Sequence, residues 1–331
     1  MEYRRHTMPQ RRRVVIVGGG FAGINAARRL GRLTKHGVEV VLINPTDYFL
    51  YLPLLPEVTA GILDPRRVAV SLRSICPRAR LLLGTVDRVD VATRRVEYVD
   101  PDGNWRGVGY DRLLVTAGSV NKLLPIPGVA EHAHGYRSVA EALYLRDHVI
   151  RQIDLADTTT DQAERDARCT FVVVGAGYTG TEVAAQGQHL TQQLVRHRSG
   201  LRDQRIHWLL LDVAPRVLPE LSSHLSRAAQ KALVRRGVDV RTGTSVVEAT
   251  SDGVRLSDSE FVPTRSLIWC VGVRPDPLVE QLGMPATRGR LAVDEYLTVP
   301  GNPDVFACGD IAAVPRPDPS RRTHWHDGAT R

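Results

Sequence analysis

The sequence predicts an α/β protein of two doubly wound, parallel-sheet domains, one inserted in the other. Three observations carry this. A glycine fingerprint, Gly18-Gly19-Gly20-Phe21-Ala22-Gly23, follows the apolar run Val14-Val15-Ile16-Val17. A second, Gly175-Ala176-Gly177-Tyr178-Thr179-Gly180, follows Phe171-Val172-Val173-Val174. Each fingerprint also opens a stretch with helical spacing of its apolar residues. In each copy the first Gly allows a tight strand-to-helix turn, the second lets backbone approach a pyrophosphate, and the third lets helix and strand pack closely. The anion then sits on a helix N-terminus. Two Rossmann-like dinucleotide sites in one chain imply a relay.

The elements follow in order. Residues 22–33 carry small and apolar residues at helical spacing, and Val38-Glu39-Val40-Val41-Leu42-Ile43 returns as a buried parallel strand. Across residues 81–115 the period falls to two, as in Asp87-Arg88-Val89-Asp90-Val91 and Arg95-Val96-Glu97-Tyr98-Val99, which predicts a β-meander. The strand Leu113-Leu114-Val115 then runs into Thr116-Ala117-Gly118, small residues along which backbone can lie against a ligand. Pro125, Pro127 and Gly128 mark a linker, residues 139–155 an amphipathic helix, and a charged loop leads to the second fingerprint. The second βαβ unit runs through residues 181–194 and returns at Ile206-His207-Trp208-Leu209-Leu210-Leu211-Asp212. A basic amphipathic helix is expected over 221–235, with Leu221, Leu225, Ala229 and Leu233 packed on the sheet; a membrane-surface role is the competing reading. Ser266-Leu267-Ile268-Trp269-Cys270-Val271 and the turn Gly272-Val273-Arg274-Pro275 close the inserted domain. The expected organisation is a disordered basic arm over 1–13, a first domain over 14–125 and 276–314, an inserted domain over 126–275, and an irregular tail over 315–331.

A chain of 331 residues has interior enough for two cores. Its formal charge of +8 does not mark a nucleic-acid face. Lys35, Lys122 and Lys231 are its only lysines, so the arginine content reads as coding bias, and half of the excess lies in the first thirteen residues. No apolar run precedes the first strand, so no secretory signal is expected. The longest apolar stretch, residues 49–63, is broken by Pro53, Pro56, Glu57 and Thr59 and falls short of the ~20 residues that span a bilayer. Cys76, Cys169, Cys270 and Cys308 are scattered without metal-ligand spacing, as for buried thiols in a reducing cytoplasm. His324-Trp325-His326 lies in a terminal tail and reads as solvated, so no metal is expected.

Beside the two fingerprints, four further segments matter: Tyr110-Asp111-Arg112-Leu113-Leu114-Val115-Thr116-Ala117-Gly118, Asp212-Val213-Ala214-Pro215-Arg216-Val217-Leu218-Pro219, the Gly272 turn, and Val305-Phe306-Ala307-Cys308-Gly309-Asp310. Together they resemble the two-dinucleotide-binding flavoprotein superfamily, and within it the type II NADH:quinone oxidoreductases of actinobacterial kind. The resemblance implies FAD on Gly18, Gly20, Phe21, Ala22 and Gly23, with Ala117, Gly118 and Gly309 beside it. Asp310 would accept a hydrogen bond from the flavin's ribityl chain or its phosphate-bearing end. It implies NADH on Gly175, Gly177, Thr179 and Gly180, with Gly272 nearby. Asp212 would accept from the ribose 2′-hydroxyl and disfavour a 2′-phosphate. Glu182 matches the glutamate that the family places at the nicotinamide and flavin junction; the competing reading is a first-turn carboxylate complementing the helix dipole. Tyr51-Leu52-Pro53-Leu54-Leu55-Pro56 resembles the segment near the isoalloxazine and the quinone approach, with core packing as the alternative.

Two departures qualify the resemblance. Where the FAD fingerprint usually ends in an acidic residue on the ribose, this chain has Asn44, whose carbonyl accepts without charge assistance. The chain also stops 21 residues after Asp310, where relatives continue through a flavin-covering helix, a quinone-site segment and a membrane-binding region. Pro315, Pro317 and Pro319 forbid a regular helix there. The expectation is therefore an NADH dehydrogenase passing electrons from FAD to a quinone or other acceptor. It would be cytoplasmic or peripheral at the inner membrane face, with membrane contact weak or lost and a homodimer left open. The alternatives are a truncated, non-catalytic nucleotide-binding remnant and a reductase for a soluble carrier. A disulfide reductase would need a cysteine pair near residues 45–60 or in the inserted domain, and neither region has one.

Overall fold

Strands with no polar break bury both faces, and such strands form the centre of two parallel sheets. The computed structural model describes residues 12–315, so the arm over 1–11 and the tail over 316–331, with its His324 and His326, lie outside the described residues. The chain divides into two compact units, crossing from one to the other after Phe49, Val70, Val120 and Arg274.

In the first unit the strand order is Thr298–Val299, Asn302–Ala307, Arg112–Val115, Arg12–Val17, Val38–Asn44, Arg80–Leu83. All neighbours are parallel except the hairpin joining the first two. Alternation along Arg12–Val17 sends Ile16 towards Ile24, Ala27 and Leu72, and sends Val15 and Val17 to the opposite core with Leu278, Leu291 and Ile311. The meander of Thr85–Asp90, Arg95–Val99 and Trp105–Gly109 is antiparallel. Arg12 and Arg13 are not part of a disordered arm. They open the first strand, because Arg13 pairs with Glu39 at 2.7 Å and its backbone N–H donates to Asp111 at 2.6 Å. The first loop helix, Phe21–Leu30, gives way to a tighter 3₁₀ turn, Gly31–His36.

The second unit has a wholly parallel sheet, ordered Ala133–His134, Ser266–Trp269, Thr170–Val174, His207–Asp212, Val238–Thr242. Trp208 stacks on Phe171 with ring centroids 4.7 Å apart, and its Nε1–H donates to Thr191 at 3.2 Å. Both lie against the second loop helix, Tyr178–Val195; a Cβ on its Gly187 would meet the Trp208 ring at 2.1 Å. An antiparallel triplet, Val246–Ala249, Gly253–Leu256 and Phe261–Pro263, completes the unit.

Three further expectations need correction. Residues 50–70, assigned from sequence to the first domain, cluster with the second unit, because Leu55 and Val58 of the short helix Leu55–Thr59 share a core with Leu145, Val149 and Phe171. The charged loop before the second fingerprint contains a helix, Gln162–Arg168. Asp161 caps it by accepting from Ala163 at 2.9 Å, and Glu164 binds Arg168 and Arg265 at 2.7 and 2.6 Å. The basic helix, Ser223–Arg235, buries Leu233 but leaves Leu225 51% exposed. Its neighbour Ser226 takes the inward position, donating to the Val217 carbonyl at 2.6 Å.

Candidate functional site

The first glycine loop joins the strand Arg12–Val17 to the helix Phe21–Leu30. Gly18 has φ +99, and a Cβ there would lie 2.4 Å from the Thr116 carbonyl oxygen; on Gly23 it would lie 1.9 Å from the Gly18 oxygen. Neither position admits a side chain. Gly20 begins the helix with no side-chain cap and no acidic residue in the first turn, and open space surrounds its Cβ position. The uncapped N–H groups there form an anion cradle.

The N–H of Gly19 donates to Asn44 Oδ1 at 2.7 Å, and Asn44 Nδ2 donates to the Thr46 carbonyl and hydroxyl at 2.9 and 3.1 Å. Asn44 thus braces the loop, and its carbonyl has a second lone pair with which to accept. Phe21 is half exposed and sets its edge on Phe49, with centroids 4.9 Å apart. Thr116 donates to the Val17 and Gly18 carbonyls at 2.8 and 2.9 Å. Ala117 packs on the core and Gly118 turns at φ +78. Gly309 lies against Ala22, since a Cβ there would meet the alanine methyl at 3.2 Å. Next to it, Asp310 accepts from Ser119 Oγ at 2.6 Å. The residues from 18 to 23, 117, 118, 309 and 310 therefore meet at the carboxyl ends of adjacent parallel strands, where open α/β sheets bind ligands.

The second loop repeats this geometry. Gly175 has φ +103, with its Cβ position 2.3 Å from the Cys270 oxygen, and a Cβ on Gly180 would lie 1.8 Å from the Gly175 oxygen. Gly177 starts its helix uncapped and in open space. The Ala176 N–H donates to Asp212 Oδ2 at 2.5 Å, and the Ala214 N–H to Oδ1 at 2.7 Å. A groove of about 440 Å³ runs past Gly175, Gly177, Thr179, Asp212 and Gly272. Its apolar walls, Leu124, Ile126, Val246 and Trp269, come from distant segments and carry no motif. Arg216, four residues beyond Asp212, donates to the Pro219 carbonyl at 2.7 Å.

Glu182 lies one turn into the same helix and lines a cavity of about 350 Å³ with Leu52, Pro53, Tyr136, Tyr178 and Thr179. One side of the residue meets solvent, yet the protein packed around the other, and then the carboxyl of Glu57, raise its carboxyl above the usual range. Tyr136 shares a 2.8 Å hydrogen bond with Thr59, and burial holds its phenol far above the usual value. Glu57 Oε2 is buried with no hydrogen-bond partner among the described residues. Sequence reasoning singled out Glu182 but missed Glu57, Thr59 and Tyr136, which no motif marks. With its affinity for a proton raised and the Tyr136 phenol lining the same cavity, Glu182 can hold a proton beyond the pH at which a free carboxyl loses it.

The thiols stand apart from this chemistry. Burial raises all four, Cys169 to about 11 and Cys270 to about 12, so none is poised as a thiolate. Among the described residues no group of His, Cys, Asp and Glu could hold a metal ion, and no helix is long and apolar enough to cross a membrane.

Comparison with known proteins extends these observations. The sequence profile of the pyridine nucleotide-disulphide oxidoreductases matches residues 12–329. Two type II NADH:quinone oxidoreductases of Mycobacterium tuberculosis, Ndh and NdhA, are 34% and 35% identical over 92% of this chain, which spans 68% and 67% of theirs. An external alternative NAD(P)H-ubiquinone oxidoreductase of Arabidopsis thaliana is 29% identical, and the chain spans 56% of it. The fold is similar to that of NDH2 from Plasmodium falciparum in complex with NADH, with a TM-score of 0.85 at 22% identity over 92% of this chain and 65% of that one. The Bacillus anthracis CoADR-RHD structure, at 20% identity and covering 91% of this chain and 51% of that one, has a TM-score of 0.74. With both glycine loops formed and matches of this extent, the chain belongs to the pyridine nucleotide-disulphide oxidoreductase family and, within it, to the type II NADH:quinone oxidoreductases.

Proposed function

We infer that this chain oxidises NADH with FAD and passes the electrons to a quinone. The observation that carries the reading is the pair of superposable glycine loops, each with an uncapped helix N-terminus and a polar side chain held at the end of the next strand. The cradle at Gly20 fits the FAD pyrophosphate, since nothing occupies the space a side chain would fill, and Asn44 and Asp310 offer acceptors to hydroxyls. Bound there, FAD supplies the hydride acceptance and onward electron transfer that no side chain can. The chain's own work is to hold the two nucleotides and to manage protons.

In the second unit the groove along Gly175, Gly177 and Thr179 takes NADH, with the Asp212 carboxylate towards the ribose. Glu182 is the residue we assign to the nicotinamide end, since its cavity shares Tyr178 and Thr179 with the dinucleotide groove. Its raised affinity for a proton suits a group that holds one during turnover. The relatives' names give quinone or ubiquinone as the acceptor, and a lipid-soluble acceptor implies work at a membrane surface.

The test is spectroscopic. The purified chain should carry a flavin spectrum that bleaches on anaerobic addition of NADH and returns on addition of a quinone. A colourless protein that cannot be reconstituted with FAD would end the reading and leave the remnant in its place. Glu182→Gln keeps the size of the side chain and removes its charge, so we expect altered turnover per flavin at an unchanged melting temperature. A sharp drop in melting temperature with turnover intact would make the residue structural.

A further inference from the structure

On the face of the second loop helix that carries residues 185, 186, 189 and 192, spaced for one side of a helix, lies a separate polar groove of about 470 Å³. It is lined by Gln186, Gln188, His189, Gln192, Arg235 and Arg236, together with Ala185 and Ile62, and contains no acidic residue. It shares no lining residue with the dinucleotide groove. Two features set it apart from an ordinary solvated surface. Gln188 is only 6% exposed, and its Oε1 has no hydrogen-bond partner among the described residues. Buried amides are almost always satisfied, so an unmet one in a residue that lines an open groove points to a missing partner. Arg235 and Arg236 end the basic helix, and neither guanidinium has an ion pair among the described residues. The helix dipole explains two cations at a C-terminus but does nothing for the amide.

We propose that this groove binds a phosphate ester, its phosphate on Arg235 and Arg236 and an adjacent hydroxyl on the Gln188 amide. Guanidinium forks match phosphate oxygens. A hydroxyl both donates and accepts, so it satisfies the amide whichever way the amide is turned. Gly237, where a Cβ would come within 3.0 Å of Gln188 Nε2, leaves that amide room to turn. The same chemistry is offered by a soluble polyol phosphate and by the headgroup of phosphatidylglycerol. The exposed Leu225 and Val234 on the basic helix make the second source worth a separate arm of the test.

The probes are sn-glycerol 3-phosphate, inorganic phosphate, and vesicles of phosphatidylglycerol or phosphatidylcholine, each titrated into the 331-residue chain. We expect glycerol phosphate or phosphatidylglycerol vesicles to bind, with glycerol phosphate about tenfold tighter than inorganic phosphate if the source is soluble. Binding of vesicles alone assigns the lipid; binding of glycerol phosphate without vesicle preference assigns the soluble ester. Gln188→Leu should weaken binding about tenfold without lowering the melting temperature, because it removes the unmet amide. The double variant Arg235→Gln with Arg236→Gln, made at exposed positions, should weaken it at least as much. NADH affinity, unchanged in both variants, reports that the unit is folded and keeps this test separate from the NADH reading. The proposal is overturned if neither ester source binds, if binding is equal in all variants, or if inorganic phosphate binds as tightly as the ester.

Discussion

The two glycine loops have nearly the same backbone and different side chains. Gly20 and Gly177 open their helices at φ −75 with ψ −167 and −168, and in each loop the third glycine lies within 2 Å, Cβ to oxygen, of the first. In each, the N–H of the middle residue is held by a side chain from the end of the next strand. That side chain is a neutral Asn44 in the first unit and a carboxylate, Asp212, in the second. The difference teaches that the anion cradle is a property of backbone and helix, whereas the charge beside it is set by one residue. The units also differ inside. Among the described residues the first buries only Thr116 and Ser119 from the polar class, while the second buries His148, Gln152 and Gln188 among others.

The largest expected effect tests the shared backbone. Gly23→Ala and Gly180→Ala should each cost about 3 kcal/mol or more, since a methyl would overlap a carbonyl oxygen that cannot move. Gly20→Val and Gly177→Val face open space and should cost no more than about 1 kcal/mol in the ligand-free chain, yet abolish binding. Gly20→Val should lose flavin only, and Gly177→Val should lose NADH only. Denaturant melts and ligand titrations of the four variants decide the matter; a stable Gly180→Ala would break the equivalence of the two loops.

Acid should then separate the units. His148 is buried, 2.9 Å from Ser266 Oγ, and burial first, then the neighbouring His134, lowers it from 6.5 to about 4. The folded form therefore resists the proton that the unfolded chain accepts below pH 6.5. The contribution of the neutral imidazole is complete above that pH and is lost as pH falls towards 4, amounting to about 3 kcal/mol. Unfolding free energies between pH 7 and 4 should show this slope in the second unit, and His148→Gln should flatten it. An unchanged slope in the variant would move the effect to other groups.

Next in size is the strand-end residue. Asp212→Asn removes the charge that opposes a 2′-phosphate, so the NADPH to NADH ratio of kcat/KM should rise by about thirtyfold, or about 2 kcal/mol. No change would dissociate cofactor choice from this carboxylate. The smallest effect belongs to the reverse exchange. Asn44→Asp sets a carboxylate against the Thr46 carbonyl and removes two donated hydrogen bonds, so the ligand-free first unit should lose about 1 kcal/mol even though ribose contact gains charge. A melting curve identical to that of the parent would show that Asn44 does not brace the loop.

Much of the cradle was legible before any coordinates, because its requirements are local. Gly18 to Gly23 and Gly175 to Gly180 announce themselves through spacing, and the apolar strands before them through composition. Asp212 and Asn44 were found by counting to the end of the next strand. Asp310 was found only by resemblance, since nothing local to it says that it will meet Ser119, 191 residues away. Leu225 shows the opposite failure. Helical spacing put it inward, but Ser226 is bonded to the Val217 carbonyl, and one hydrogen bond outweighs the periodicity of a short helix.

By itself, then, the sequence determined that two strand-turn-helix cradles would form and which side chain ends the strand beside each, because those depend on local spacing and on sterics that no tertiary contact can relax. Tertiary structure alone decided where residues 50–70 pack, that Tyr136, bonded to Thr59, joins Glu182 around one cavity, and that Leu124, Ile126, Val246 and Trp269 wall the dinucleotide groove. These are meetings between segments far apart in the chain. They are settled by which apolar surfaces exclude water together, a quantity that no local spacing records.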